Sequence, residues 1–278
     1  MTWGLICKPT ASSYSIAKEI YPLLGDVIME EKIAVRFGAS GCPLEEIGNR
    51  ADQLIVIGGD GTILMVMRHT EKPMFTINTG SVGFMTEVDA ENAVAGIKKV
   101  MNGEYYIENR IRIKTVLNDH RLADATNEVT VHTADIGKIL SLRLSVNNVV
   151  TEKIDGDGMI VATPTGSTSY ALSVGGPIVD PLLNIFVVAP MAPFRHIASP
   201  LVISADNELE IAVIGKKKAK LVIDGVHKAT MTRADNLRLS CSDKAAAFIR
   251  LENNFYSKVF EMLSFAGKRA DYDRDSSD

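Results

Sequence analysis

The periodicity of the apolar residues changes near residue 102, and this change limits the possible folds more than any other feature. Before it, short continuous apolar runs alternate with helical patterns. Gly4–Cys7 and Leu54–Ile57 are predicted to form buried strands, and Ser12–Leu24 is predicted to form an amphipathic helix. Strands that alternate with helices indicate an α/β domain with a mostly parallel sheet, which we assign to residues 1–102.

From residue 103 onward, apolar residues recur at every second position, most clearly in Leu140–Val146 and Leu209–Ile214. Period-two runs with few helical stretches predict a β-rich domain of antiparallel, sandwich-like sheets over residues 103–254. Helical spacing returns at residues 255–266, which we expect to complete the first domain. Residues 267–278 are polar and are expected to form a frayed tail.

Composition and charge exclude several classes of protein. The net charge is −4 and the pI about 5.8, so the chain lacks the basic footprint of a nucleic-acid-binding protein. The most apolar stretch, Pro181–Phe194, is interrupted by prolines and is too short to span a bilayer. Three widely separated cysteines and five scattered histidines give neither a disulfide framework nor a metal-ligand spacing. Since the N-terminus does not resemble a signal peptide, we expect a soluble cytoplasmic protein without a membrane or nucleic-acid partner.

A glycine-rich motif, GGDGT at residues 58–62, follows the apolar run Leu54–Ile57 and precedes a helix expected to begin at Thr62. Glycine lets the backbone turn sharply and approach a ligand, and the first N–H groups of a helix bind anions. At the carboxyl end of a parallel strand, such a turn is a candidate phosphate site. The motif matches neither a Walker A loop nor a dinucleotide-binding fingerprint. The residues expected to bind the phosphates of a donor are Gly58, Gly59, Gly61 and Thr62.

Asp60 stands between these glycines, where its negative charge would repel bound phosphates. A carboxylate in this position therefore suggests a separate task. It could hold Mg²⁺ or accept a proton from an attacking hydroxyl group. The alternative is a tight turn in which Asp60 only caps the following helix.

Two polar segments of the second domain are candidates for ligand binding. In Thr163–Tyr170, six of eight side chains carry a hydroxyl group, which can hydrogen-bond to ribose, phosphate or base edges without adding charge. Asn127-Glu128 precedes an apolar run and offers both donors and acceptors. Both segments also fit simpler alternatives, a polar surface turn and a solvated strand end. Asp224-Gly225 is predicted to form only a hairpin turn.

In this order, the motifs resemble those of the NAD kinases. GGDGT alone is shared with diacylglycerol, sphingosine and phosphofructo-kinases, but the combination is far more specific. The resemblance implies a two-domain enzyme with NAD between its domains, which phosphorylates the 2′-hydroxyl group of the adenosine ribose to give NADP. The matching segments are GGDGT at 58–62, INTGSVGFMTE at 77–87, Asn127-Glu128, Asp157-Gly158, TPTGSTSY at 163–170 and SVGGP at 173–177.

Carried over residue by residue, the resemblance assigns roles in both domains. Asp60 matches the family's proton acceptor. Ser169 stands where the family usually has alanine, and Ser81-Val82 stand where it often has Asn-Leu. No residue is assigned to a metal. The positions implied to contact the dinucleotide are Gly61, Asn127, Glu128, Asp155, Asp157, Thr165, Thr168, Ser169, Tyr170 and Ser173.

The resemblance also implies a divalent cation, Mg²⁺, which commonly binds through substrate phosphates and therefore needs no all-protein cage. It further implies ATP or polyphosphate as donor and a homodimer or homotetramer. Two alternatives stay open. A diacylglycerol-type lipid kinase shares GGDGT and the two-domain plan, but the polar segment Thr163–Tyr170 argues against a cleft for acyl chains. A non-catalytic NAD(P) sensor would keep the binding residues, but it would not need Asp60.

Overall fold

The computed structural model describes residues 1–80, 83–194 and 198–264. The predicted tail at 267–278, the last two residues of the predicted helix 255–266, and Ser81-Val82 lie outside the described residues. Within the described ranges, no helix is both long enough and apolar enough to cross a membrane.

The chain forms two compact units, each described by itself. The first comprises Met1–Glu108 and the chain from Ala247 onward, and the second comprises Asn109–Ala246. Short 3₁₀ turns lie at Tyr21–Leu23 and Ala90–Asn92 of the first unit. The first unit begins with β1 (Thr2–Cys7), α1 (Ala11–Ile20), β2 (Asp26–Glu30), α2 (Glu31–Phe37), β3 (Gly41–Cys42), α3 (Leu44–Arg50), β4 (Gln53–Ile57), α4 (Asp60–Met67), β5 (Met74–Asn78), β6 (Val88–Asp89), α5 (Ala93–Met101) and β7 (Tyr106–Arg110).

The second unit is built mainly from strands, and the chain then returns to the first unit through β20 (Ala246–Arg250) and helical residues 255–264, named α7. A 3₁₀ turn covers Thr165–Thr168. The elements of the second unit are β8 (Ile113–Leu117), β9 (His120–Arg121), β10 (Glu128–Thr133), β11 (Leu140–Val146), β12 (Val149–Gly156), β13 (Gly158–Ala162), α6 (Tyr170–Ser173), β14 (Ile185–Met191), β15 (Leu201–Ser204), β16 (Leu209–Ile214), β17 (Ala219–Ile223), β18 (Val226–Met231) and β19 (Leu237–Cys241).

The sheet of the first unit runs in the order β3-β2-β1-β4-β5-β20-β7, with β6 also paired to β5. Its pairs β1/β2, β1/β4, β4/β5 and β5/β20 are parallel. The apolar run of β4 is buried on both faces, with Leu54 and Ile55 fully inaccessible, as expected for a central parallel strand. The strand order reverses between β1 and β4, and ligands of open α/β sheets bind beyond the carboxyl ends of strands at such a point.

The second unit contains two antiparallel sheets, in the orders β15-β14-β13-β10-β17-β18 and β12-β11-β16-β19-β8-β9. Alternate side chains of both sheets form one apolar core, which includes Val129 and Val131 of β10 and Leu142 and Leu144 of β11. This shared core makes the unit a sandwich. The predicted fold class, a mostly parallel α/β unit followed by an antiparallel β-rich unit, is confirmed.

The chain changes units at different positions from those that the pattern indicates. β7 belongs to the first sheet, so the first unit extends to Glu108 instead of ending at residue 102. The chain returns to the first unit with β20, in which Phe248 pairs with Met74 of β5. It therefore returns before the helix near 255. The apolar run of β20 carries no local signal that separates a parallel strand of the first sheet from another antiparallel strand.

Candidate active site

The GGDGT motif forms the turn between β4 and α4. Gly59 occupies the position before the helix in an extended conformation, and its carbonyl accepts the N–H groups of Thr62 and Ile63 at 2.9 and 3.2 Å. The helix begins at Asp60, so the prediction that it begins at Thr62 is wrong, because Asp60 and Gly61 already form its first turn. Gly61 is exposed at this end of the helix, while Gly58 is buried against Thr62. The turn therefore has the form expected for a phosphate site, and the donor role of Gly58, Gly59, Gly61 and Thr62 stays a prediction.

The Asp60 carboxylate is held by a second loop of the same unit. It accepts the backbone N–H of Phe84 at 3.0 Å and that of Met85 at 3.1 Å, one on each oxygen. No side chain in the described ranges caps α4, so Asp60 does not act as the simple helix cap that the alternative required. Two N–H donors fix the direction of the carboxylate and leave about half of its four lone-pair sites for a ligand.

Gly83 begins the segment that holds Asp60, which we call the 83–87 loop. A Cβ atom on Gly83 would lie 2.8 Å from the Asp60 oxygen Oδ1 and 2.9 Å from the Thr86 hydroxyl. A side chain at this position would therefore displace the carboxylate or the loop. Glycine here is required by the close approach of backbone and carboxylate.

In the second unit, Asn127 and Glu128 are held by a buried carboxylate that the sequence did not identify. Asp224 accepts the backbone N–H groups of Thr126, Asn127 and Glu128 at 2.8, 2.8 and 3.1 Å. Asp224-Gly225 does form the predicted hairpin between β17 and β18, with φ of 44° and 74°. The prediction that it forms only a turn is wrong, because the Asp224 side chain points inward and is buried. Burial raises the pKa of this carboxyl, while the three N–H donors act in the opposite direction.

The hydroxyl-rich segment Thr163–Tyr170, here the hydroxyl loop, packs directly on Asn127. The Thr163 N–H donates to the Asn127 carbonyl at 2.8 Å, and the Thr163 hydroxyl donates to the Thr126 carbonyl at 2.6 Å. A Cβ on Gly166 would lie 2.1 Å from the Asn127 carbonyl oxygen, so only glycine allows this contact. The structure thus brings together two segments that the sequence separates by more than thirty residues.

Several polar side-chain atoms are buried at this junction. Among the described residues, no hydrogen-bond partner is found for Asn127 Oδ1, Glu128 Oε2 or Thr165 Oγ1. A buried polar atom without a partner costs about 1–3 kcal/mol, so a ligand that supplies partners would be favoured. Glu128 and Tyr170 also line a cavity of about 320 Å³ in this unit. These observations make the junction a candidate binding site, and the contact of its residues with a dinucleotide stays a prediction.

Glu128 is an unusual glutamate because of this environment. Burial, together with the nearby Asp224 charge, raises its pKa to about 7, against the opposite effect of the Ser169 hydroxyl and the Tyr170 N–H. Its protonation therefore changes in the physiological range, where hydrogen bonds to a ligand depend on it.

The predicted contact residues of the second unit fall into two groups. The first lies near Asn127 and Glu128, and the second, Asp155 and Asp157, does not. The hydroxyl-loop residues lie beside Asn127 and Glu128, with Thr168 donating to the Thr165 carbonyl at 3.3 Å and Tyr170 exposed. Ser173 follows on α6 and is exposed. The residues of the first group are Thr165, Thr168, Ser169 and Tyr170.

Asp155 and Asp157 are not brought beside Glu128 within this unit. Glu128 pairs with Ala162 at one end of β13, whereas Asp157 precedes Gly158 at the other end. Strand geometry separates these ends by about 13 Å. Asp157 is exposed, and the Asp155 carboxylate accepts the Ser141 hydroxyl. The contact of Asp155 and Asp157 with the dinucleotide stays a prediction.

Glu128→Gln is expected to make the free energy of unfolding less dependent on pH. The folded-state pKa of about 7 lies above the ordinary 4.5, so the folded protein binds more protons than the unfolded chain between these values. The stability that Glu128 contributes is therefore fully present below pH 4.5 and is lost as the pH rises towards 7, by an amount on the order of 3 kcal/mol.

Because glutamine stays uncharged, the unliganded variant should be more stable than the wild type at pH 8 and close to it near pH 5. Urea unfolding at both pH values measures this, with the exposed Glu208→Gln as control. Identical pH dependence of the wild type and Glu128→Gln would show that Glu128 ionises normally in the folded protein.

Two family models match the chain: the ATP-NAD kinase N-terminal domain at residues 4–105 and the ATP-NAD kinase C-terminal domain at residues 126–251. An NAD kinase of Methanothermobacter thermautotrophicus is 42% identical over 228 residues, 80% of each chain. One of Thermoplasma acidophilum is 32% identical over 259 residues, 92% of this chain and 94% of that one.

Solved structures agree with these matches. An Archaeoglobus fulgidus NAD kinase in complex with ATP has a TM-score of 0.79 at 31% identity, over 93% of this chain and 98% of that one. Yeast NADH kinase complexed with NADH shares the fold, with a TM-score of 0.87 at 24% identity over 95% and 88% of the two chains. The resemblance predicted from the motifs is confirmed, and the chain belongs to the NAD kinase family.

Proposed function

We propose that this NAD kinase transfers the γ-phosphoryl group of ATP to the 2′-hydroxyl group of the adenosine ribose of NAD, with Asp60 as the proton acceptor. The ribose oxygen forms a bond to the γ-phosphorus, and the bond from that phosphorus to the bridging oxygen of ADP breaks. ADP leaves with the electron pair, and the hydroxyl proton passes to the Asp60 carboxylate. The observation that carries the proposal is the fixed orientation of this carboxylate by Phe84 and Met85, directly at the glycine turn.

The carboxylate contributes by accepting a proton that a ribose hydroxyl gives up poorly at neutral pH. A well-positioned general base typically accelerates such a step by about 10²–10⁴-fold. The rest of the rate acceleration comes from alignment of donor and acceptor and from neutralisation of the phosphate charges. The N–H groups at the start of α4 are suited to bind phosphate oxygens.

Recognition of NAD is proposed to lie with the second unit. Asn127, Glu128 and Thr165 each offer a buried polar atom that has no partner among the described residues, and these atoms match the hydroxyl groups and base edge of an adenosine. Asp224 contributes indirectly, because it fixes the backbone that carries Asn127 and Glu128.

A divalent cation, which we propose to be Mg²⁺, would neutralise phosphate charge when bound. In the parts of the chain that the structure describes, no three His, Cys, Asp or Glu side chains lie together as a metal site. We assign no residue to the cation and propose that the substrate phosphates carry it.

We further propose that the enzyme is cytoplasmic and homo-oligomeric, as a dimer or tetramer. None of Cys7, Cys42 and Cys241 forms a disulfide, which suits a reducing compartment. Apolar side chains are exposed on strands at sheet edges, Val150 of β12 and Val202 of β15, where another subunit could cover them. Sedimentation equilibrium of the purified protein tests the oligomeric state.

A donor panel tests the proposed reaction. Purified protein is incubated with NAD, MgCl₂ and either ATP, another nucleoside triphosphate or inorganic polyphosphate, and NADP is measured with an NADP-specific dehydrogenase. We expect NADP with ATP and none without a donor. If NADP forms only with polyphosphate, the donor assignment is wrong, and if it forms with no donor, the proposed reaction is wrong.

Glu128→Ala and Tyr170→Ala are expected to raise KM for NAD and to leave KM for ATP near normal. Loss of a hydrogen bond to a buried charged group costs about 1.5–3 kcal/mol, which corresponds to an increase of about 10- to 100-fold for Glu128→Ala. Steady-state kinetics with each substrate varied measures both constants, and the exposed Glu208→Ala in the same unit serves as control. A rise in KM for ATP instead would show that donor and acceptor residues are assigned the wrong way round.

A further inference from the structure

Arg250 is a fully buried arginine at the end of β20 and lies outside the segments that the motifs identify. Its Nη1 donates to Glu87 Oε2 at 2.9 Å and its Nε donates to Glu108 Oε1 at 3.1 Å. Its guanidinium also lies over the Phe248 ring, at 4.6 Å from the centroid. All four side chains belong to the first unit.

The same guanidinium reaches the loop that holds Asp60. Arg250 Nη1 donates to the carbonyl oxygens of Met85 and Thr86 at 3.3 and 3.4 Å. The N–H of Met85 in turn donates to the Asp60 carboxylate. Met85 therefore connects Arg250 to Asp60 through one residue of backbone.

Further contacts tie the chain after β20 to this loop. Glu87 Oε1 accepts the backbone N–H groups of Leu251 and Glu252 at 2.8 and 3.3 Å, and Asn254 Nδ2 donates to the Glu87 carbonyl at 3.2 Å. Lys258 of α7 donates to the Thr86 carbonyl. Arg250 and the residues that follow it thus hold residues 85–87, the last part of the 83–87 loop.

Stability alone does not account for a buried charge cluster of this kind. Replacement of a buried ion pair by well-packed apolar residues is often neutral or stabilising, because desolvation offsets the attraction. What a planar guanidinium provides, and an apolar or ammonium side chain does not, is several hydrogen bonds in fixed directions. Proton transfer depends on such precision, since a misplacement of about 1 Å can reduce the rate about 10²-fold.

We propose that Arg250 is a positioning residue for Asp60, holding the carbonyl groups of Met85 and Thr86 so that the N–H groups of Phe84 and Met85 stay on the carboxylate. This role rests on the proposed function of Asp60 as proton acceptor. Arg250 itself touches neither Asp60 nor the reacting atoms, and it acts through the 83–87 loop.

The test is a double-mutant cycle with Arg250→Lys. Lysine keeps the positive charge but loses the planar group that donates hydrogen bonds in several fixed directions. We expect kcat to fall by about 10-fold or more, while KM for NAD and the Kd for NAD measured by calorimetry stay near normal. In an Asp60→Asn enzyme, which has lost the base, Arg250→Lys should reduce kcat by less than about 2-fold. Arg36→Lys, an exposed change in the same unit, is the matched control.

Glu87→Gln is the second variant, because it keeps the shape of the Arg250 partner and guards against misfolding of Arg250→Lys. Thermal unfolding shows that each variant is folded, and Glu87→Gln should show the same fall in kcat. Normal kcat in both variants, or an undiminished loss in the Asp60→Asn background, overturns the positioning role alone. Normal kcat in Asp60→Asn itself removes the base and the positioning role with it, so the two failures are distinguishable.

Discussion

Asp60→Asn is expected to lower kcat by at least about 10²-fold and to change the affinity for NAD little. Asparagine keeps the size of the side chain and one acceptor oxygen, so it can retain the hydrogen bond from Phe84 or from Met85. It cannot accept the proton of the attacking hydroxyl, so only the chemical step loses stabilisation.

The measurement is kcat from steady-state NADP formation, together with the Kd for NAD by calorimetry. Asp52→Asn, an exposed aspartate of the same unit, is the matched control and should have normal kcat. An Asp60→Asn enzyme with near-normal kcat would remove Asp60 from the mechanism. A large rise in Kd with normal kcat would make it a binding residue only.

2′-Deoxy-NAD is expected to be inert as a substrate and to inhibit competitively against NAD, because it lacks the nucleophile but keeps most contacts. An apolar ligand should be rejected, since it would leave Asn127, Glu128 and Thr165 without partners. At about 1–3 kcal/mol for each unsatisfied atom, two or three such losses amount to a discrimination of about 10³-fold or more.

Inhibition of NADP formation by 2′-deoxy-NAD and by short-chain diacylglycerol, each titrated at fixed NAD, measures this discrimination. We expect an inhibition constant for 2′-deoxy-NAD within a few-fold of KM for NAD and no inhibition by diacylglycerol. Stronger inhibition by diacylglycerol than by 2′-deoxy-NAD would show that the site is apolar.

The parts of the fold that are set by local pattern could be predicted from the sequence. Leu140–Val146 and Leu209–Ile214 were predicted with the bounds that the structure shows, because period-two alternation marks a strand with one buried face. The predicted helix Ser12–Leu24 instead ends at Ile20, because Pro22 lies in the 3₁₀ turn that follows. The strand and helix over Asp26–Phe37 were not predicted, since the acidic pair Glu30-Glu31 hides the change from strand to helix.

The contacts that hold the candidate site could not be predicted, because they join residues far apart in the chain. The carboxylate of Asp60 meets an N–H group 24 residues later, Asp224 meets N–H groups 96 to 98 residues earlier, and Arg250 meets Glu87 across 163 residues. A single sequence shows these residues as an isolated motif, a hairpin turn and the end of an apolar run. Only the fold shows that each one fixes a backbone segment of the site.

Phosphorylation of NAD at its ribose hydroxyl is tested most directly by a competition experiment with labelled donor. The purified enzyme is given γ-³²P-labelled ATP, MgCl₂, NAD and diacylglycerol in mixed micelles in one reaction, and the products are separated and counted. We expect the label in NADP, in a form that alkaline phosphatase removes to regenerate NAD, and none in phosphatidate. Label in phosphatidate with none in NADP would contradict the assignment.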